Sequence, residues 1–275
     1  MPRREQAQDQ RETGHAVLKP EVEALLKQST AVYSAMKSYR HVAECLEKGR
    51  GPNGEINNST SYVLALDRPN KFCYKSEEAR GSAAVSDGKV FINYRNDSQG
   101  DERSRTYFTR VAAPATYKGI NIVDDVTFRL GSYMVALMLQ GDVLADGEVS
   151  EGLANAVVKP GVVDNGKKYD ILTVPFQGKP VDFYFDSTTH LLHKTLNTDS
   201  EGEGGRKIEV HVTEIMEDVQ IDKPIPASVF EYTPPKSARL IVKAPSNLPS
   251  NLLANLLSNS YTRDSKGYMR IARTF

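Results

Sequence analysis

Residues 61–94 read SYVLALDRPNKFCYKSEEARGSAAVSDGKVFINY, and the spacing of their apolar side chains decides the fold class. Tyr62, Leu64 and Leu66 fall on alternate positions, and so do Val90, Ile92 and Tyr94. A period of two with polar residues between predicts strands that turn one apolar face inward and one wet face outward. Asp87-Gly88 sits between two such runs and reads as a hairpin turn. The stretch is therefore a meander of short antiparallel strands: Ser61–Asp67, Lys71–Glu77, Ala83–Ser86 and Lys89–Arg95.

The same pattern extends in both directions. Upstream, a strand is expected from Tyr39 to Lys48, followed by a loop, GRGPNGEINNST. Downstream, strands are expected at Tyr107–Val111, Lys168–Phe176, Pro180–Asp186, Leu191–Thr198 and Lys207–Glu217. Val181, Phe183 and Phe185 share a face, as do Ile208, Val210 and Val212. Two segments follow the helical period instead. Pro20 opens the first, whose stripe runs through Val22, Leu25, Leu26, Val32, Tyr33 and Met36 to an end near Lys37. The second runs from Asp124 to Gln140, with Val126, Leu130, Tyr133, Met134, Leu137 and Met138 on one stripe behind an acidic start. A shorter helix is expected at Glu148–Val157. The order helix, strands, helices, strands predicts an α+β fold, with helices gathered on the apolar side of one large antiparallel sheet.

Charge and composition exclude several functions. The 275 residues hold 35 basic and 35 acidic side chains, so no overall field favours nucleic acid. No run approaches the roughly 18 apolar residues of a membrane span. The two cysteines cannot build a disulfide scaffold or a four-cysteine zinc site. Cys45 and Cys73 could pair with each other only if their strands met, and the strand at Ser61–Asp67 stands between them. His190 and His193 are three apart at a strand entrance, which puts them on opposite faces, and His41 and His211 are isolated on strands. There is no GxSxG elbow, HExxH or phosphate loop, and no cofactor, metal or catalytic residue is assigned.

The chain divides into three parts. Residues 1–18 are polar and read as disordered. Residues 19–241 form the folded domain. The remainder, 242–275, is a basic extension. Counted from Lys236, seven basic residues face one acid, Asp264, and Leu248, Leu252, Leu253, Leu256 and Leu257 form a leucine cluster. The first 20 residues lack the apolar core of a secretory signal, so the sequence reads either as a cytosolic chain or as the mature form of an exported one.

Four segments, in order, resemble the LolA-type outer-membrane lipoprotein carriers. They are LALDRPNKFCYK with Arg68-Pro69, AVSDGKVFINY, VDFYFDSTTHLLHKTLNTDSEG, and IPASVFEYTPPKSARLI. The resemblance spans roughly Val22 to Ile241 and points to a predicted-periplasmic branch of that superfamily. It implies an unclosed, curved antiparallel β half-barrel whose concave apolar face is covered by helices. It also implies periplasmic, non-catalytic binding of lipid, lipoprotein acyl chains or another apolar ligand by a monomer. The arginine of the carriers' Arg-Pro motif holds the helical lid, and Arg68 takes that position. The ligand-facing side chains would then be Leu64, Leu66, Tyr74, Ile92, Tyr94, Phe183, Phe185, Val210 and Val212 from the sheet. Met134, Leu137 and Met138 would come from the lid. Two alternatives stand beside this reading. The apolar face is an ordinary packed core, or the fold is a regulatory module resembling periplasmic envelope-stress regulators, sensing lipid and docking a membrane-associated partner protein.

Overall fold

The structure, a computed structural model, describes residues 17–51, 54–76, 82–96, 106–120, 129–144, 147–176, 179–203, 206–241, 261–263 and 269–271. Helix α1 (Pro20–Ala35) leads into β1 (Ser38–Gly51), β2 (Gly54–Asp67), β3 (Lys71–Ser76), β4 (Ala83–Asp87), β5 (Val90–Asn96) and β6 (Thr106–Ala112). Helices α2 (Leu130–Gln140) and α3 (Gly147–Ala154) follow. The chain returns through β7 (Val157–Asp164), β8 (Lys167–Phe176), β9 (Lys179–Asp186), β10 (Leu192–Glu203) and β11 (Arg206–Ile221) to the short β12 (Arg239–Leu240), and β13 (Tyr261–Arg263) and β14 (Met269–Ile271) pair separately as a two-stranded antiparallel ladder.

Strands β1 to β12 form one sheet in the order β12-β6-β5-β4-β3-β2-β1-β11-β10-β9-β8-β7. It consists of two antiparallel meanders joined along β1 and β11, with β12 added parallel to β6. The sheet is curved and unclosed, as expected. This order explains where the helices lie. To pass from β6, near one edge, to β7, the other edge, the chain must cross a face of the sheet, and α2 and α3 are carried by that crossing. Their apolar sides pack on the face that presents Leu64, Leu66, Phe72, Phe183 and Phe185, and α1 packs beside them. A smaller core occupies the opposite face, where Ala65, Cys73, Val85, Tyr94 and Phe230 meet under the segment 225–238.

Several boundaries differ from the sequence expectation. The proposed loop GRGPNGEINNST is mostly ladder, because β1 runs on to Gly51 and pairs with β2 through Lys48↔Asn57 and Gly49↔Ile56. Backbone pairing needs no apolar pattern, and these polar residues sit on the exposed end of a long hairpin. The sequence does not predict strand β7, because Val157 falls in the expected helix Glu148–Val157 and Lys159-Pro160-Gly161 breaks a strand pattern. The structure accommodates the break at a sheet edge, with a register shift between Lys159 and Val162. Helix α2 is described from Leu130, and its expected start at Asp124 lies outside the described residues, as do residues 1–16 and the leucine cluster of the tail. Cys45 and Cys73 are free and buried, with β2 between their strands.

Candidate functional site

The concave face and its helices form the candidate site, and α2 is its central element. This helix has the composition of a core element, with Met134 through Leu139 all buried. It brings little of its own to satisfy its ends: no acid in its first turn, no basic residue in its last, and no side-chain cap at Arg129. The four leading N–H groups and four trailing carbonyls of any helix need partners from elsewhere. At the C-terminal end Gly141 N and Asp142 N turn back to the carbonyls of Met138 and Leu137, and side chains from the rest of the molecule supply further partners at both ends.

At the C-terminal end the partner is Arg68, in the turn between β2 and β3. Its Nε donates to the Met36 carbonyl at 2.7 Å, and one Nη donates to Ser34 (3.2 Å) and to Leu139 (2.9 Å). One planar guanidinium thus gathers carbonyls from the ends of both α1 and α2, a task suited to a fixed fork of donors beside two negative helix termini. The Tyr117 hydroxyl donates to the Ala136 carbonyl at 3.1 Å, and Gln140 donates to the carbonyls of Tyr117 and Ile120.

At the N-terminal end the partner is Glu214 of β11. Its carboxylate accepts from Gly131 N (2.8 Å), Ser132 N (2.9 Å) and Ser132 Oγ (2.6 Å). The approach is close enough to require glycine. A Cβ on Gly131 would stand 2.3 Å from Met216 Cε, 2.9 Å from Glu214 Oε2 and 3.0 Å from Thr195 Cγ2. Burial raises the Glu214 pKa above the ordinary carboxylate value, against the pull of these donors and of Arg129. Arg129 spans the same end of the helix, with Nη2 2.7 Å from Glu47, Nε donating to Tyr62 Oη, and its backbone N donating to Tyr74 Oη. His41 lies behind this group, its pKa lowered to about 3 by burial and by the charge of Arg40. Burial also pushes the Cys45 thiol up to about 11.

Of the residues named from sequence, Leu64, Leu66, Tyr74, Met134, Leu137, Met138, Phe183 and Phe185 meet in this one core. Val210 and Val212 lie farther along β11, in phase with Glu214 and Met216, and are half-buried outside that core. Tyr94 is placed on the opposite face, in the smaller core, and Ile92 shares its side by strand alternation. On β5 it is Phe91, 5 % exposed, that joins the main core. The strand is apolar at both phases because both faces are covered here, so alternation could not choose between them. Sequence reasoning missed Glu214, Ser132, Arg129, Tyr39 and His41. One signal was available: Glu214 interrupts an otherwise apolar series, Val210, Val212, Met216, on the buried phase of β11.

A crevice lined by Leu130, Tyr133, Met134, Val149, Val174, Phe176 and Phe183 offers about 10 Å³, no more than one water needs. Ligand pockets run to several hundred Å³, so a ligand enters this crevice only if its walls move. Among the described residues, no three His, Cys, Asp or Glu side chains cluster closely enough for a metal ion, and no helix is long and apolar enough to cross a membrane.

A sequence model described as "Predicted periplasmic protein (DUF2092)" matches residues 22–242. No curated protein matches the sequence. Similar solved structures include a LolA superfamily protein from Nitrosomonas europaea, at 9% identity and a TM-score of 0.31, covering 79% of this chain and 99% of that one. LprF from Mycobacterium bovis has 12% identity and a TM-score of 0.33, covering 76% and 97%. The MucA/MucB complex of Pseudomonas aeruginosa has 10% identity and a TM-score of 0.38, covering 78% and 61%. At this distance the fold rests on the chain's own strand order.

Proposed function

From the premise that the chain belongs to the predicted periplasmic family DUF2092, we propose that it is a non-catalytic periplasmic protein that binds lipid or another acyl-bearing ligand between the concave face of its sheet and helices α1 to α3. The observation that carries this reading is the construction of the cover. A wide apolar sheet face is closed by three short helices, and Arg68 reaches the ends of two of them from one turn. A half-buried guanidinium at the rim of the cover, one of whose three carbonyls belongs to the exposed Ser34, is a contact that water can replace as the cover lifts, so the helices are separable from the sheet at modest cost. An acyl chain entering beneath them gains about 0.8 kcal/mol for each CH₂ it buries. A dozen such groups outweigh the loss of a few hydrogen bonds. Met134 and Met138 on the moving helix suit variable chains, because unbranched thioethers repack easily.

The test is native mass spectrometry of the protein purified from a bacterial periplasm, with solvent extraction of what accompanies it. A stoichiometric acyl-bearing species is the expected result. A bare mass, with no uptake of added fatty acid or phospholipid, would reduce the apolar face to a packed core.

A further inference from the structure

The crevice between α2, α3 and the β8–β9 hairpin has walls of unequal strength. Tyr133 and Phe176 stand half-buried at its mouth, and Met134, Val149, Val174 and Phe183 are buried behind them. None of its lining side chains is charged. Tyr133 brings the one hydroxyl among them, whereas a buried water needs about two to four polar partners, so the crevice suits hydrocarbon better than water.

Three of its walls are fixed. Strands β8 and β9 pair through Val174↔Val181 and Leu172↔Phe183 and lie inside the sheet. Helix α2 is held at this same end by Glu214, through Gly131 and Ser132. The fourth wall, α3, rests on β8 by packing. Val149 and Leu153 are buried in the main core, and among the described residues no side chain of α3 makes a hydrogen bond or ion pair with the sheet. The α3 backbone lies directly on the strand. A Cβ on Gly152 would stand 2.8 Å from Val174 Cγ1 and 2.9 Å from the Pro175 carbonyl oxygen. Just past the helix, Lys19 Nζ donates to the Ala156 carbonyl at 2.8 Å, a tie to the start of α1 and not to the sheet.

We propose that this crevice is the port of the binding site: a single unbranched acyl chain enters it tail first, and α3 is the wall that swings aside while α2 stays seated on Glu214. Entry here breaks none of the Glu214 hydrogen bonds. The apolar contacts that α3 gives up are replaced by contacts of the same kind with the chain. A carboxylate or phosphate head finds no charged partner behind the mouth, so it stays outside. From Leu130 at the mouth to Leu139, whose carbonyl Arg68 holds, α2 is about 14 Å long. An extended chain of about a dozen carbons covers that distance, so a longer chain lying along the helix brings its tail to the Arg68 end.

The port rests on the binding reading, and its test separates the two. Gly152→Ala wedges α3 away from β8. Gly152→Cys combined with Val174→Cys staples it down, because the 2.8 Å approach puts the two Cβ atoms about 4 Å apart, within reach of a disulfide. The native Cys45 and Cys73 are buried on β1 and β3. Stopped-flow uptake of a palmitoyl chain carrying a fluorophore at its head is measured on the full chain. The wedge is expected to quicken uptake about fivefold. Oxidising the staple is expected to slow it about tenfold or more, and reductant to restore it. Both arms of the staple comparison use one protein, so a folding defect of the variant weighs on them equally. Should the staple not close, the wedge decides. Uptake unchanged by oxidation of the staple, or unchanged by the wedge, would overturn the port and leave the binding reading standing. No uptake by the wild type would remove the binding reading, and the port with it.

Discussion

At its C-terminal end α2 is tied by a half-buried guanidinium that ties α1 as well. At its N-terminal end it is tied by a carboxylate 2 % exposed, set among buried hydroxyls and an imidazole. Both partners carry the charge that complements the helix dipole. They differ in what replaces them when the contact breaks. Arg68 is half-buried and one of its three carbonyls belongs to the exposed Ser34, so water can enter that attachment from its outer side as it opens. Water does not reach Gly131 N and Ser132 N while the helix is docked, so the Glu214 attachment is close to all-or-none.

The comparison is broken most severely at the buried end. Glu214→Ala leaves two helix N–H groups and the Ser132 hydroxyl without their acceptor. The relief of no longer burying a carboxylate offsets part of that loss. The expected destabilisation is about 2–4 kcal/mol, read as a lower urea midpoint with an unchanged m-value. A midpoint within error of wild type would mean the carboxylate is not a net support of the helix. Gly131→Ala comes next. Alanine improves helix propensity by about 1 kcal/mol, but its Cβ would meet Met216 Cε at 2.3 Å and Glu214 Oε2 at 2.9 Å. Crowding of this kind costs about 1–3 kcal/mol, and a net loss of about 1 kcal/mol is expected. Thermal unfolding measures it, and a rise in Tm would show that the approach of α2 to β11 leaves room for a methyl group.

The exposed end should respond in rate. Arg68→Leu costs about 1 kcal/mol or less in stability, yet uptake and release of a fluorescent fatty acid should quicken several-fold, since one substitution frees the ends of α1 and α2 together. Arg68→Lys should not restore the wild-type rate, because a single ammonium lacks the fork that reaches Met36, Ser34 and Leu139 at once. Stopped-flow exchange decides, and unchanged rates in the leucine variant would remove Arg68 from the opening step.

The sequence was informative where one chemistry dominated. Alternation along β2 and β9 and the helical stripe of α2 located side chains of the large core, whereas on β11 the same pattern picked Val210 and Val212, which lie outside it. The Asp87-Gly88 turn placed the β4–β5 hairpin. Alternation failed on β5, where helices cover one face and the segment 225–238 covers the other. It failed on β7, whose Pro160 is tolerated only because the strand lies at an edge. The polar line through Tyr39, His41, Ser132 and Glu214 was hidden for a different reason. Its members come from three elements distant in sequence, each looks ordinary alone, and only the β1–β11 pairing brings His41 and Glu214 to one end of α2.

The two faces of β5 sharpen the comparison at its weakest point. Ile92 is half-buried on the side of the smaller core, where it pairs across the ladder with Val85. Phe91, one residue away, is buried under the helices. Ile92→Ala should cost about 1 kcal/mol, at the low end for a partly exposed aliphatic side chain, and should leave fatty-acid affinity unchanged. Phe91→Ala should cost about 3 kcal/mol and alter affinity, because it reshapes the face on which the acyl chain is to lie. Urea unfolding and probe titration of the pair separate stability from binding. If Ile92→Ala shifted the affinity as much as Phe91→Ala, the ligand would lie on the convex side, under the segment 225–238, and the helices would be only a core. The chain's alternation argues against that outcome, since the convex core is built from smaller side chains such as Ala65, Cys73 and Val85 and is already closed by Phe230.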